Sequence, residues 1–194
     1  MKIINEILLV LKEPDSSNDL IETLTESGIN KIEFITADHD IYAQVNKNKP
    51  DALIIETEYL SGELLQQIRM INQNINIPII LFTETNDNLI IEKAIKYGVT
   101  TYIVGSIETQ RIKSILQVAV TRCAEIKKLK NDLTQTKAQL KERKVIDKAK
   151  GILMQHKKYS EDDAYKALRK LAMDKNKRII EIAEGIVATF DLLS

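Results

Sequence analysis

Nearly uninterrupted runs of Ile, Leu and Val alternate with segments of helical period through the front half of this chain, and that alternation leaves few folds open. A strand buried on both faces reads as a continuous apolar run, and strands separated by helical segments must be joined by crossovers, which makes the sheet parallel. The runs Ile4–Leu11, Lys31–Thr36, Ala52–Glu56, Pro78–Phe82 and Thr101–Val104 predict five strands. Between them, Ser17–Ser27, Ile41–Lys47, Ser61–Asn72 and Asn88–Tyr97 carry helical spacing, with Gly28 and Gly98 placed where a helix C-terminal glycine belongs. The prediction is a doubly wound α/β domain of (βα)5 type over residues 1–107.

From Thr109 the pattern changes to a segment without Gly or Pro that reaches Lys150, which predicts one long helix. With Ile112 at an a position, Ile115, Ala119, Arg122, Ile126, Leu129, Leu133, Thr136 and Leu140 occupy successive d and a positions. Arg122 and Thr136 interrupt this seam. The spacing predicts a dimeric coiled-coil linker over 108–137, with a lone helix packed on its own front domain as the alternative.

Residues 138–194 read as a small all-α domain of three helices. The second is opened by Ser160 with Asp163 at N3, a capping box in which Asp replaces Glu, and the third spans Lys177–Leu193. Apolar residues at i, i+3, i+4 spacing predict the core. They are Val145, Ile146, Ala149, Ile152 and Leu153, then Ala164, Leu168, Leu171 and Ala172, then Ile179, Ile182, Ala183, Ile186, Val187 and Phe190. Gly151 inside the first helix costs about 1 kcal/mol relative to Ala, so a close helix-to-helix approach is expected there.

Charge matters because the total conceals a division. The chain has 28 Lys+Arg and 28 Asp+Glu, but residues 1–105 hold 8 and 16 of them, a net of −8, and residues 106–194 carry +8. An acidic front domain and a basic tail follow, and the tail is suited to a polyanion.

The single Cys123 cannot form an internal disulfide, and a lone thiol on a helix reads as a packing residue. Neither a secretory pattern nor an apolar run long enough to cross a bilayer is present, so a cytoplasmic protein without membrane partners is expected. His39 and His156 are too isolated for a metal site. No nucleophile-base pair and no Gly-rich phosphate loop stands out, so neither an enzyme nor a cofactor is expected.

A five-stranded α/β domain of this size opening a chain resembles the receiver domain of bacterial response regulators. The resemblance assigns a phosphoacceptor pocket to particular positions, and most have lost its chemistry. The two carboxylates after strand one, which would hold magnesium through oxygen ligands, are matched by Leu11 and Lys12, with Glu13 nearby. The acceptor Asp at the end of strand three is matched by Glu56, the neutralising Lys after strand five by Gly105, and only Thr83 is retained. A pocket without that charge is not expected to accept a phosphoryl group. Glu56 reads either as a constitutive mimic of the modified state or as a vestigial strand-end residue.

The tail carries a more specific resemblance. The run from Arg143 through Val145-Ile146-Asp147-Lys148-Ala149-Lys150-Gly151-Ile152-Leu153-Met154, followed by Ser160-Glu161-Asp162-Asp163-Ala164-Tyr165 and Leu168-Arg169-Lys170-Leu171-Ala172-Met173, is similar to the ANTAR domain of transcription antiterminators. The order of receiver-like domain, long helix and ANTAR tail resembles the AmiR/NasR group. Thr101-Tyr102-Ile103-Val104, Gln110-Arg111, Ile115-Leu116 and Glu56-Thr57-Glu58 are similar to its nitrate-assimilation branch.

The resemblance implies a homodimer that binds paired hairpins in a leader mRNA, prevents a terminator from forming, and so acts indirectly on the RNA polymerase elongation complex. It further implies control by a nitrate/nitrite sensor protein of the NasS type. Hairpin loops present phosphates and unstacked bases together, which calls for cations and planar side chains. The residues expected to meet phosphates are Lys144, Lys148, Lys150, Lys157, Lys158, Arg169, Lys170, Lys175 and Arg178, with Tyr165 able to stack on a base. Arg169 is the leading one, because a planar fork suits phosphate or guanine. The alternative function is a phosphorylation-dependent two-component response regulator with a protein-binding output.

Overall fold

The computed structural model of the chain describes residues 4–11, 18–36 and 38–193. Among them, β1 (Glu6–Leu11), β2 (Lys31–Thr36), β3 (Ala52–Thr57), β4 (Ile79–Thr83) and β5 (Thr101–Val104) form one sheet in the order β2-β1-β3-β4-β5. Every pairing is parallel. The crossovers are α1 (Asn18–Glu26), α2 (Ile41–Asn48), α3 (Gly62–Asn74) and α4 (Asn88–Tyr97).

Register explains why the central strands are apolar on both faces. Leu8, Leu53 and Ile79 align across β1, β3 and β4 on one face, while Leu9, Ile54 and Ile80 align on the other. The first row packs with Ile41 and Val45 of α2, Ile68 and Ile71 of α3 and Ala94 of α4. The second packs with Leu20 and Leu24 of α1. Side-chain caps start three of the crossover helices: Asp40 accepts from the Ala43 N–H, Ser61 from Leu64, and Asp87 from Leu89 and Ile90.

Two strands depart from the expected bounds. β1 begins at Glu6 rather than Ile4, and there the Asn5 and Glu6 N–H groups donate to the Asp51 carboxylate at 2.9 and 3.3 Å. β4 begins at Ile79 because Pro78 has no N–H to give a ladder, though its carbonyl accepts from Leu53. Gly98 is obligatory: its φ is +120°, and a Cβ there would lie 2.3 Å from the Asn72 Cβ.

After a 3-10 turn over Thr109–Arg111 the chain enters α5 (Ile112–Lys157), then α6 (Glu161–Asp174) and α7 (Ile179–Leu193). The chain divides into two compact units, one ending at Lys128 and the other starting at Leu129. The front unit claims the first turns of α5. Ile112, Leu116 and Ala119 are buried against the β-sheet beside Ile7, Leu9 and Phe82, with Ile115 half-buried there. Ile112, Ile115 and Ala119 therefore serve intrachain packing, and the heptad positions left uncovered are Arg122 and those from Ile126 onward. Every residue from Ala124 to Lys141 is exposed.

In the back unit Ala149, Leu168, Ala172, Ile182 and Ala183 form a covered cluster, flanked by half-buried Val145, Ile146, Leu153, Ile179, Ile186 and Val187, and Ala164 and Ile180 are buried as well. The expected close approach falls on the alanines and not on Gly151, where a Cβ would meet nothing within 4 Å. Leu171, expected in the core, is exposed at 36%, and Phe190 is half-buried. No helix among the described residues is long and apolar enough to cross a membrane.

Candidate nucleic-acid interface

At the C-terminal ends of the front strands, the positions of the expected phosphoacceptor pocket are occupied by structural contacts. Leu11 is buried at the end of β1, whereas Lys12 and Glu13 lie outside the described residues. The Glu56 carboxylate accepts the Ile107 N–H at 3.4 Å, which joins the end of β3 to the segment leading into α5. Thr83 is 2% exposed, and its hydroxyl donates to the Glu58 carbonyl at 3.0 Å while accepting from the Thr85 N–H. Gly105 has φ +110° and donates its N–H to the Thr83 carbonyl at 2.9 Å. A lysine would be strained in that conformation, so the backbone itself disfavours the missing cation. Among the described residues no group of His, Cys, Asp and Glu could hold a metal ion.

The back unit is assembled by capping and charge. Ser160 accepts from the Asp163 N–H and donates to its carboxylate at 2.6 Å, so the shorter Asp closes the capping box through the hydroxyl. Lys148 meets both Asp191 oxygens at 2.9 Å and ties α5 to α7. Lys150 lies 2.7 Å from Asp147 and 2.8 Å from Glu161, and its side chain is only 15% exposed, which ties α5 to the start of α6. The Asp147 contact, followed by Glu161, holds the Lys150 ammonium above its ordinary pKa, and Lys150 holds Asp147 below its own. Arg178 pairs with Glu142 at 2.6 Å and donates its main-chain N–H to Glu181 at 2.7 Å.

Other cations have no such partner. Lys144, Lys157, Lys158, Arg169, Lys170 and Lys175 are exposed and make no ion pair among the described residues. On α6, Ala164, Leu168 and Ala172 face the core. A flanking ridge, about 100° round the helix from them, carries Tyr165, Arg169 and Met173 at i, i+4 and i+8, with Lys170 further round. Tyr165 is 44% exposed and Met173 72%.

The family that matches this region is the ANTAR domain, over residues 134–187. The chain carries an ANTAR domain. All the expected RNA-contacting residues, from Lys144 to Arg178, fall inside it. The transcriptional regulatory protein PdtaR of Mycobacterium tuberculosis is 25% identical over 171 residues, covering 88% of this chain and 83% of that protein. The nitrate regulatory protein of Klebsiella oxytoca is 40% identical over 82 residues, covering 42% of this chain and 21% of that protein.

Solved structures match the front. A pilus assembly-related protein of Burkholderia pseudomallei gives a TM-score of 0.52 at 16% identity, covering 62% of this chain and 92% of that one. A response regulator of Thermotoga maritima gives 0.51 at 15%, covering 61% and 99%. Identity this low concerns fold alone, and the fold is a receiver-like parallel sheet followed by a long helix and a helical ANTAR domain.

Within the ANTAR domain the expected residues separate into groups. Lys148, Lys150 and Arg178 bind the three helices to one another. Tyr165, Arg169 and Lys170 share the exposed side of α6, and Lys144 stands apart on α5. Lys157 and Lys175 meet across a groove between α5, α6 and α7, where Lys177, His156 and Phe190 join them. Sequence reasoning did not single out Lys177, set His156 aside as an isolated ligand, and placed Phe190 in the core. The available sign was Gly185, a helix-interior glycine costing about 1 kcal/mol relative to Ala. It lines this groove, and a Cβ there would meet nothing within 4 Å.

Proposed function

We propose that this chain is a non-enzymatic transcription antitermination regulator that binds hairpins of a leader transcript as a dimer and keeps a terminator from forming. The observation that carries the reading is an ANTAR domain whose α6 presents Tyr165, Arg169 and Lys170 to solvent, with neither cation ion-paired among the described residues. Unpaired cations can neutralise phosphates without first giving up an internal partner. The exposed seam of Ile126, Leu129, Leu133 and Leu140 on α5 supports the dimer. Likeness to the nitrate regulatory protein supports a role in nitrate or nitrite assimilation, with a nitrate/nitrite sensor protein as the controlling partner and the polymerase elongation complex affected indirectly.

Arg169→Ala is expected to leave folding intact, since the side chain is exposed, and to weaken hairpin binding more than about tenfold, or roughly 1.4 kcal/mol. A titration at fixed salt measures this, and unchanged affinity removes Arg169 from the interface.

The response-regulator fold and the retained Thr83 favour a phosphorylation-dependent regulator as the second reading. Leu11, Glu56 and the positive φ of Gly105 weigh against it. Incubation with a small phosphodonor and magnesium is expected to produce no stable mass gain; a gain of one phosphate on the front unit would establish the second reading.

A further inference from the structure

The open groove between α5, α6 and α7 has a volume of about 780 Å3, within the range of about 300–1,000 Å3 typical of concave small-molecule sites. Its floor includes Ile182 and Ile186, and the His156 and Phe190 rings close one side edge to face, with centroids 5.2 Å apart at 62°. Lys157, Lys175 and Lys177 stand around it against a single carboxylate, Glu181. An apolar floor under an excess of ammonium groups suits a ligand with a flat apolar face and anionic edges.

Gly185 strengthens this. A glycine inside a helix is disfavoured relative to alanine, and here no neighbouring atom requires one. What its missing side chain leaves open is the groove itself.

We infer that this groove receives unstacked bases of a single-stranded RNA loop, the three lysines holding the phosphates between them; the inference rests on the RNA-binding reading. A base inserted there would meet the His156 and Phe190 rings and aliphatic side chains, and aromatic rings are what the bases of single-stranded nucleic acid stack on without regard to sequence. The groove would hold the loop while Arg169 and Lys170, on the exposed side of α6, meet the backbone.

The test uses the full-length chain and a pool of RNA hairpins with a randomised loop, from which the best binder is selected and remade with 4-thiouridine in the loop. Ultraviolet crosslinks are expected on the peptides carrying His156 or Phe190. Gly185→Leu, which fills the groove from a position with free space, is expected to abolish those crosslinks and weaken binding at least tenfold. Gly185→Ala is the folding control and is expected to melt no lower than the parent. Parent-level affinity and crosslinking in Gly185→Leu, or crosslinks mapping only to other peptides, would overturn the inference and leave RNA binding standing. A pool that yields no binder would overturn both. Displacement of the hairpin by a polyglutamate peptide, with no crosslink in the groove, would identify an acidic protein segment as the occupant and also overturn it.

Discussion

Leu133→Asp is expected to convert the protein from dimer to monomer while leaving the fold of each unit unchanged. Leu133 is 55% exposed at the middle of an uncovered helical stretch, so within one chain the substitution removes no packing. Its intrachain cost is confined to helix propensity, below about 0.7 kcal/mol. In a two-stranded seam with Leu129 and Leu140 the account differs. Two leucines leave an apolar interface at about 1.5–3 kcal/mol each, and two carboxylates enter it facing one another at several kcal/mol more. A total above about 5 kcal/mol corresponds to a more than thousandfold weaker dimer. Sedimentation should show a monomer at concentrations where the parent is dimeric, and affinity for paired hairpins should fall by about a hundredfold or more as avidity is lost. A parent that sediments as a monomer, or a variant that stays dimeric, would refute the seam.

Leu168→Ala is expected to unfold the back unit and spare the front one. Leu168 is 1% exposed, and of the four other covered residues in its cluster three are alanines that contribute one methyl group each. A buried Leu→Ala change costs about 2–5 kcal/mol. At about 0.05–0.15 kcal/mol per residue, the unit beginning at Leu129 has only several kcal/mol in total. The front sheet keeps its own two clusters, one on each face, and none of their members is altered. Hydrogen exchange is the measurement: amides of α6 and α7 should lose protection while those of β3 and β4 keep theirs. Protection retained throughout would mean that the small core tolerates the cavity.

Much of the front fold was legible because strands covered on both faces leave no ambiguity of period. The bounds of β2, β5 and α4 agree with the apolar runs and caps that predict them, whereas β1 starts two residues late, where Asp51, distant in sequence, takes the Asn5 and Glu6 N–H groups. The heptads were harder. Over two or three turns a 3.5-residue repeat and a 3.6-residue face are the same pattern, so Ile112 and Ala119 fit a seam as well as they fit the sheet that buries them. At the candidate interface, residue type alone identifies a cation but not its partner. Lys148 looks like Lys144 until Asp191, 43 residues further on, is placed beside it. The groove was hard to read for a related reason, since each of the three helices supplies only part of it and Gly185 is its one mark in the sequence.

The alanine-rich centre of the back unit has a consequence for how long the protein lasts. A unit with so little buried bulk has a small reserve against unfolding, and a ligand present at a hundred times its dissociation constant adds about 2.7 kcal/mol, a large fraction of that reserve. Proteases act on the open form, whose population falls by the same factor. Binding by the back unit is therefore expected to slow its proteolysis, so that the chain lasts longer where there is something to hold.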